Sequence, residues 1–323
     1  MSDAGGPYGR IPGGPSPRVM EGWVSLRDVL ADAQRRLAAA GVPSPEAEAA
    51  LLAAHVLGVP RSRLILQDRV APETRTAYER LLGRRTARVP LQYLLGTAPF
   101  RHIEVAVGPG VFVPRPETEM LAVPAREALR VLPAEERIAV DLCTGSGALA
   151  ISVALEAGET RMTAVELSAT AAEWAQGNVE RHAPALALCG SDVRVVTTDA
   201  ATCAEAGHPL HDLVGRVAVV TANPPYIPDG AVPRDPEVRE HDPPIALYGG
   251  PDGLDVIRRI LPAAAALLRP GGLLVMEHAD AQGDAAGDEG VPGLLRSLAD
   301  WRDVSDHFDL NRRPRYTVAR RAH

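Results

Sequence analysis

Asn223-Pro224-Pro225-Tyr226 joins four residue types whose combination suits the alkylation of a planar, poorly nucleophilic nitrogen. The lone pair of such a nitrogen is delocalised into a neighbouring π system. A catalyst must therefore hold the NH2 hydrogens with neutral acceptors and localise the pair without a strong base. The Asn223 side-chain oxygen and the Pro224 carbonyl supply two such acceptors. Two successive prolines fix φ and restrict the residue before each, so the backbone is rigid before a substrate arrives. Tyr226 adds a flat face for a planar group. Taken alone, the tetrapeptide also reads as a proline-rich turn leaving a strand.

The elements that must position it begin upstream. An apolar run, Ile138-Ala139-Val140, reaches Asp141 and then Leu142-Cys143-Thr144-Gly145-Ser146-Gly147, followed by the apolar Ala148-Leu149-Ala150. This predicts a buried strand, a tight glycine turn and the first turns of a helix. A second strand-like run, Met162 to Val165, ends in Glu166, roughly 20 positions past the turn, the separation that puts a carboxylate at a strand tip to grip a ribose diol. A third run, Val193 to Thr198, leads to Asp199-Ala200. A glycine turn of this kind cradles phosphate or any ligand that approaches the backbone closely, and by itself it is also a plain strand-helix junction.

At 323 residues the chain has room for two domains and a sizeable core. Its net charge of -7 argues against general affinity for a nucleic-acid backbone. All 34 basic residues are arginine, which removes lysine nucleophiles and Schiff-base chemistry from consideration. Three widely spaced cysteines, Cys143, Cys189 and Cys203, fit a reducing cytoplasm and neither a disulfide scaffold nor a metal site. No signal peptide or membrane span is legible. His55 and His278 read as structural.

Residues 1–22, rich in Pro and Gly, predict a disordered tail. Residues 23–98 predict a small helical domain, with helices near Leu26 to Ala40, Pro45 to Leu57 and Pro72 to Arg88. Its arginines, Arg61, Arg63, Arg69, Arg84, Arg85 and Arg88, read as a solvated face or as a basic surface for an acidic partner. Residues 99–114 predict a β-hairpin linker around Gly108-Pro109-Gly110, and a helix then runs from Pro116 to about Val131. Within 115–323, strands and helices alternate: Ile138 to Leu142, Met162 to Glu166, Val193 to Thr198, Val217 to Ala222 and Gly272 to Glu277, then two weaker strands near Val304 to Phe308 and Tyr316 to Arg320. The fold class is α/β, a doubly wound, mostly parallel seven-stranded sheet. The tetrapeptide lies just beyond the carboxyl end of the fourth strand, where such sheets bind ligands. The long stretch from Pro228 to Ala246 continues it as an ordered, substrate-facing loop.

Together these residues resemble class I S-adenosylmethionine-dependent methyltransferases, and within them the release-factor glutamine N5-methyltransferase family (PrmC/HemK type). Pro90-Leu91-Gln92-Tyr93-Leu94-Leu95-Gly96, Val113-Pro114-Arg115-Pro116-Glu117-Thr118-Glu119, the Asp141 to Gly147 turn, the tetrapeptide and Gly249-Gly250-Pro251-Asp252-Gly253-Leu254 carry the resemblance, from about Val24 to the C-terminus. It implies methylation of the side-chain amide of the glutamine in the Gly-Gly-Gln motif of peptide chain release factors, with S-adenosyl-L-methionine as cofactor. It also implies a monomer without a nucleic-acid or membrane partner, and no metal. Asp141, Cys143, Thr144, Gly145, Ser146, Gly147, Glu166, Asp199, Ala200 and Asn223 would then hold the cofactor. Asn223, Pro224, Pro225 and Tyr226 would hold the glutamine amide and carry the transfer, with Arg115, Glu117 and Glu119 at the pocket edge, and the helical domain would be the platform for the protein substrate. Two residues depart from the family pattern. Cys143 replaces the first glycine of the turn and narrows the approach to the ligand. Ala200 stands where relatives can carry an aromatic, which leaves stacking on the adenine weaker or supplied from elsewhere.

An adenine-N6 nucleic-acid methyltransferase faces the same chemical problem with the same tetrapeptide, but it needs a cationic strand-binding face. A non-catalytic cofactor-binding interaction protein is the third reading, opposed by the intact Glu166, Asp199 and tetrapeptide.

Overall fold

The computed structural model describes residues 22–323. The tail expected over residues 1–22 lies outside them, Gly22 excepted. The chain forms two compact units that part between Leu95 and Gly96.

In the first unit, a two-residue strand β1 (Val24–Ser25) leads into α1 (Leu26–Ala39), where the Ser25 hydroxyl accepts from Asp28 N at 3.4 Å as N-cap. α2 (Pro45–Leu57), the strand β2 (Arg69–Val70) that pairs antiparallel with β1, α3 (Pro72–Thr86) and α4 (Leu91–Leu95) complete it. Proline opens both α2 and α3, where its missing N–H costs nothing. Leu37, Leu52, Leu82 and Tyr78 fill the core. Two of the clustered arginines are structural. Arg85 is buried against Glu48, Nε to Oε2 2.5 Å, and Arg88 donates to the carbonyls of Ala40 at 3.1 Å and Gly41 at 2.5 Å.

The second unit opens with a hairpin of β3 (Thr97–Phe100) and β4 (Ile103–Ala106). Its turn is Arg101-His102, upstream of the expected Gly108-Pro109-Gly110. The turn lacks a glycine, and Arg101 takes φ 51. Its guanidinium is held by both carboxylate oxygens of Glu156 and by the Glu119 carbonyl, a tertiary anchor that outweighs local turn preference. Gly108 serves close packing instead, since a Cβ there would lie 2.6 Å from the Trp174 ring. The helix expected from Pro116 is divided: a 3-10 turn covers Pro116–Leu121 before α5 (Ala122–Arg130) begins. A continuous α-helix would drive the ring of Pro124 into the carbonyl of Met120.

The sheet comprises β5 (Ile138–Leu142), β6 (Arg161–Glu166), β7 (Asp192–Thr197), β8 (Val217–Ala222), β9 (Leu268–Glu277), β10 (Trp301–Phe308) and β11 (Pro314–Arg321), in the order β7-β6-β5-β8-β9-β11-β10. The five from β7 to β9 are parallel and the last two antiparallel. Helices α6 (Ala148–Ala157), α7 (Ala169–Leu188), α8 (Pro236–His241), α9 (Asp255–Leu267) and α10 (Val291–Ser297) connect and flank them. β5 and β8 are buried at every residue, which is why both read as apolar runs interrupted only by Asp141 and Thr221. Gly271 and Gly272 fall inside β9 rather than before it, in a bulge where the register jumps from Val217–Leu268 to Val219–Leu273. The chain winds outward through β6 and β7 and then returns to β8 beside β5. That reversal opens a crevice at the carboxyl ends of the central strands.

Candidate active site

A cleft of about 480 Å3 occupies the crevice, within the range of small-ligand sites. Its lining includes the whole tetrapeptide, Arg115, Asp141, Cys143 to Ser146, Glu166, Asp199 and Ala200. Gly147, Glu117 and Glu119 are not part of that lining. Gly147 caps α6 at φ 79, and a Cβ there would meet that of Ala175 at 3.4 Å, so its place is in the packing of α6 on α7. Between the two glutamates, Thr118 reaches the cleft instead.

The turn after β5 places Cys143 at φ 60, Gly145 at φ 56 and Gly147 at φ 79. Left-handed backbone at a non-glycine residue is strained. Burial pushes the Cys143 thiol well above its usual range, so it stays neutral. The space beside Gly145 is open, with no atom within 4 Å of where a Cβ would sit. Gly145 N donates to Glu166 Oε2 at 2.8 Å and Ser168 N to Oε1 at 2.9 Å, so one carboxylate ties the turn to the start of α7. Burial raises the Glu166 pKa while these backbone donors oppose it. Asp141 is 1% exposed; Thr144 donates to its Oδ2 and Thr221 to its Oδ1, both at 2.6 Å. Burial nevertheless pushes its pKa up to about 6. Asp199 Oδ1 accepts from Ala201 N at 2.9 Å, and Oδ2 pairs with Arg259 of α9 at 2.7 Å.

The tetrapeptide leaves β8 at Ala222. Asn223 Nδ2 donates to Thr118 Oγ1 at 3.2 Å. The Tyr226 hydroxyl donates to Oε1 of Glu277, the last residue of β9, at 3.1 Å. The Thr118 hydroxyl also favours the charged form of that carboxylate, as do Arg315 and Tyr226, yet burial still pushes Glu277 up to about 7. The backbone beyond is braced from below: Ile227 N donates to Leu247 O and Gly249 N to Ile227 O, both at 2.9 Å, while Gln282 Nε2 donates to Tyr226 O at 3.1 Å. A Cβ on Gly253, which sits at φ 80, would lie 2.2 Å from Tyr226 O. The Gly249 to Leu254 segment is therefore glycine-rich because the active-site loop rests on it.

Pro233, Val238, Pro243 and Ile245 bring the loop after the tetrapeptide into the lining. Arg115 Nη2 pairs with Asp242 Oδ2 at 2.6 Å and fastens that loop to the segment before the 3-10 turn. Thr118, Arg259, Glu277 and Gln282 were not foreseen. Glu277 ends a strand as Glu166 does, and the expected doubly wound order would have set it beside the tetrapeptide.

The donor set suits a nucleoside with a vicinal diol: carboxylates stand at or just beyond the ends of β6 and β7, and the backbone at Gly145 is open to close approach. Among the described residues, the lining contains no histidine that could act as a base.

The family described as PrmC N-terminal domain matches residues 28–96, and that described as Methyltransferase small domain matches residues 118–232. The Release factor glutamine methyltransferase of Streptomyces coelicolor is 45% identical over 294 residues, 91% of this chain and 97% of that protein. Its namesake in Mycolicibacterium smegmatis is 44% identical over 296 residues, 92% and 98% of the two chains. Among solved structures, the protein-(glutamine-N5) methyltransferase (release factor-specific) of Alicyclobacillus acidocaldarius is 27% identical, with a TM-score of 0.37 over 67% of this chain and 99% of that one. With such identity to the two bacterial relatives along nearly the whole of both sequences, the chain belongs to the release factor glutamine methyltransferase family.

Proposed function

We propose that the protein transfers a methyl group from S-adenosyl-L-methionine to the side-chain amide N5 of the glutamine in the Gly-Gly-Gln motif of peptide chain release factors. It does so in the cytoplasm, as a monomer and without nucleic acid. The observation that carries this reading is the Asn223–Thr118 hydrogen bond. The Thr118 oxygen receives the Asn223 Nδ2 proton on one of its lone pairs. That orientation leaves Asn223 Oδ1 as the end of the amide free to accept from a substrate NH2.

When bound, the cofactor supplies an electrophilic methyl on a cationic sulfonium. Glu166 keeps lone pairs beyond its two backbone donors for the ribose hydroxyls. Asp141 stands where an ammonium group can be met directly or through water. Asp199, with one oxygen already shared by Arg259, faces the adenine end. Asn223 Oδ1 and the Pro224 carbonyl hold the two amide hydrogens of the substrate, and the Tyr226 ring lies against its plane. The proton can leave after transfer, because an alkylated amide nitrogen is transiently very acidic, so alignment matters more than a strong base. The helical unit serves as recognition platform; Ile65 and Leu66, 86% and 74% exposed next to Arg61 and Arg63, are the groups it offers.

Incubating the purified protein with methyl-labelled cofactor tests the proposal, using in parallel a release factor, the same factor with the motif glutamine changed to alanine, and DNA. Label is expected in the intact factor alone. Label in DNA would favour the adenine-N6 reading, and label in the altered factor would move the target off the glutamine.

A further inference from the structure

Glu277 belongs to none of the motifs, yet a group assigned to the transfer is tied to it. The Tyr226 hydroxyl donates to its Oε1 at 3.1 Å. The other such group, Asn223, is held separately, its Nδ2 donating to Thr118 at 3.2 Å. Arg315 of β11 acts on both Glu277 and Tyr226. The carboxylate is 1% exposed, and its Oε2 has no well-formed hydrogen bond. Burying a carboxylate so incompletely partnered is costly, and a strand end needing only to pack would be served better by an apolar side chain.

We propose that Glu277 is a positioning residue of the transfer site: through the Tyr226 hydroxyl it sets the tilt of the Tyr226 ring. It touches neither substrate nor cofactor, and its effect is to keep that ring in register with the Asn223 amide. Thr118, which holds Asn223, is the reason the Arg115 to Glu119 segment matters, since that residue rather than either flanking glutamate lines the cleft. The inference rests on the methyl-transfer reading above.

The test compares Glu277→Gln, Tyr226→Phe and the double variant, in the full-length protein with a release factor as substrate. Glu277→Gln is expected to lower kcat about 10- to 100-fold, the range a small misplacement produces, with cofactor Kd and substrate KM held within about threefold. Added to Tyr226→Phe it should cost less than about twofold further, because the connection it acts through is already gone. Wild-type kcat in Glu277→Gln, or an undiminished loss in the Tyr226→Phe background, would overturn the proposal. Should Glu277→Gln fail to fold, Glu277→Asp withdraws the carboxylate from the hydroxyl, and unchanged kcat there would overturn it. Crystal structures of the folded variants give a readout independent of the acceptor: a tilted Tyr226 is expected, and an unmoved ring would refute positioning. A wild-type enzyme that leaves release factors unlabelled speaks against the parent reading, whereas losses confined to the variants speak only about Glu277.

Discussion

Cys143 holds φ 60 where the turn favours glycine. A left-handed non-glycine residue costs roughly 1–2 kcal/mol. Cys143→Gly relieves that strain against an unfolded-state entropy cost of roughly 0.5–1 kcal/mol. The variant should therefore melt at the same temperature or slightly higher, and calorimetry should show cofactor affinity preserved or tighter. A lower melting temperature together with lost binding would reveal a contact made by the thiol. At Asn223 the effect falls on chemistry: Asn223→Ala should lose about 100- to 1,000-fold in turnover, as removal of one preorganised polar group does, with a much smaller change in cofactor Kd. An active Asn223→Ala enzyme would sink the mechanism. Glu166→Gln should weaken cofactor binding by about 1.5–3 kcal/mol. It should also cost folding stability, because the amide turns an NH2 towards one of the backbone donors at Gly145 and Ser168. Unchanged affinity in isothermal titration would place the ribose elsewhere.

At the scale of elements, the glycine-rich segment before α9 acts as a footing for the tetrapeptide. Gly253→Ala would put a methyl group 2.2 Å from Tyr226 O. The loop must then lift, and kcat should fall at least about tenfold while cofactor Kd changes little, since displacement acts on alignment. Single-turnover kinetics with saturating cofactor checks this, and normal kinetics would mean that the loop rests elsewhere. The buried strands were legible because each carries an apolar run closed by a polar residue, which gave β5 and β8 residue for residue. The hairpin was misplaced because glycines signalled a turn, whereas the actual turn depends on Arg101 reaching Glu156, distant in sequence. Within the site, Glu166, Asp199 and the tetrapeptide do line the cleft, whereas Gly147, Glu117 and Glu119 do not. Thr118 and Glu277 were not legible, although one lies in a motif and the other ends a strand, because their partners Asn223 and Tyr226 stand 105 and 51 residues away in sequence.

For the whole molecule, burial raises the pKa values of carboxyls at the heart of the sheet, Asp141 from 3.8 to about 6 and Glu277 from 4.5 to about 7. Between each pair of values the folded chain holds a proton that the unfolded chain releases, so this part of the stability is lost as pH rises through the window. Glu277→Gln lacks its share and should be the more stable protein at about pH 8, by an order of 3 kcal/mol at most, with no advantage near pH 4. Urea midpoints at the two pH values check this. A wild type that is the more stable at alkaline pH would mean that the carboxylate is better satisfied than its neighbours suggest. The expected pairing of higher stability with lower turnover would make Glu277 a residue kept for activity at the expense of robustness.

The strand order divides the crevice in two. Outward from β5 on one side lie Glu166 and Asp199, which the proposed transfer gives to the donor; outward from β8 on the other lie Asn223 and Tyr226, which it gives to the acceptor. Asp141 alone takes a hydroxyl from each, Thr144 on the first side and Thr221 on the second. Substitutions on one side would therefore leave the other undisturbed as long as that joint and the Asp199–Arg259 pair are kept. A lineage with this architecture could exchange one planar nitrogen for another by redrawing the acceptor half, while the donor half is inherited unchanged.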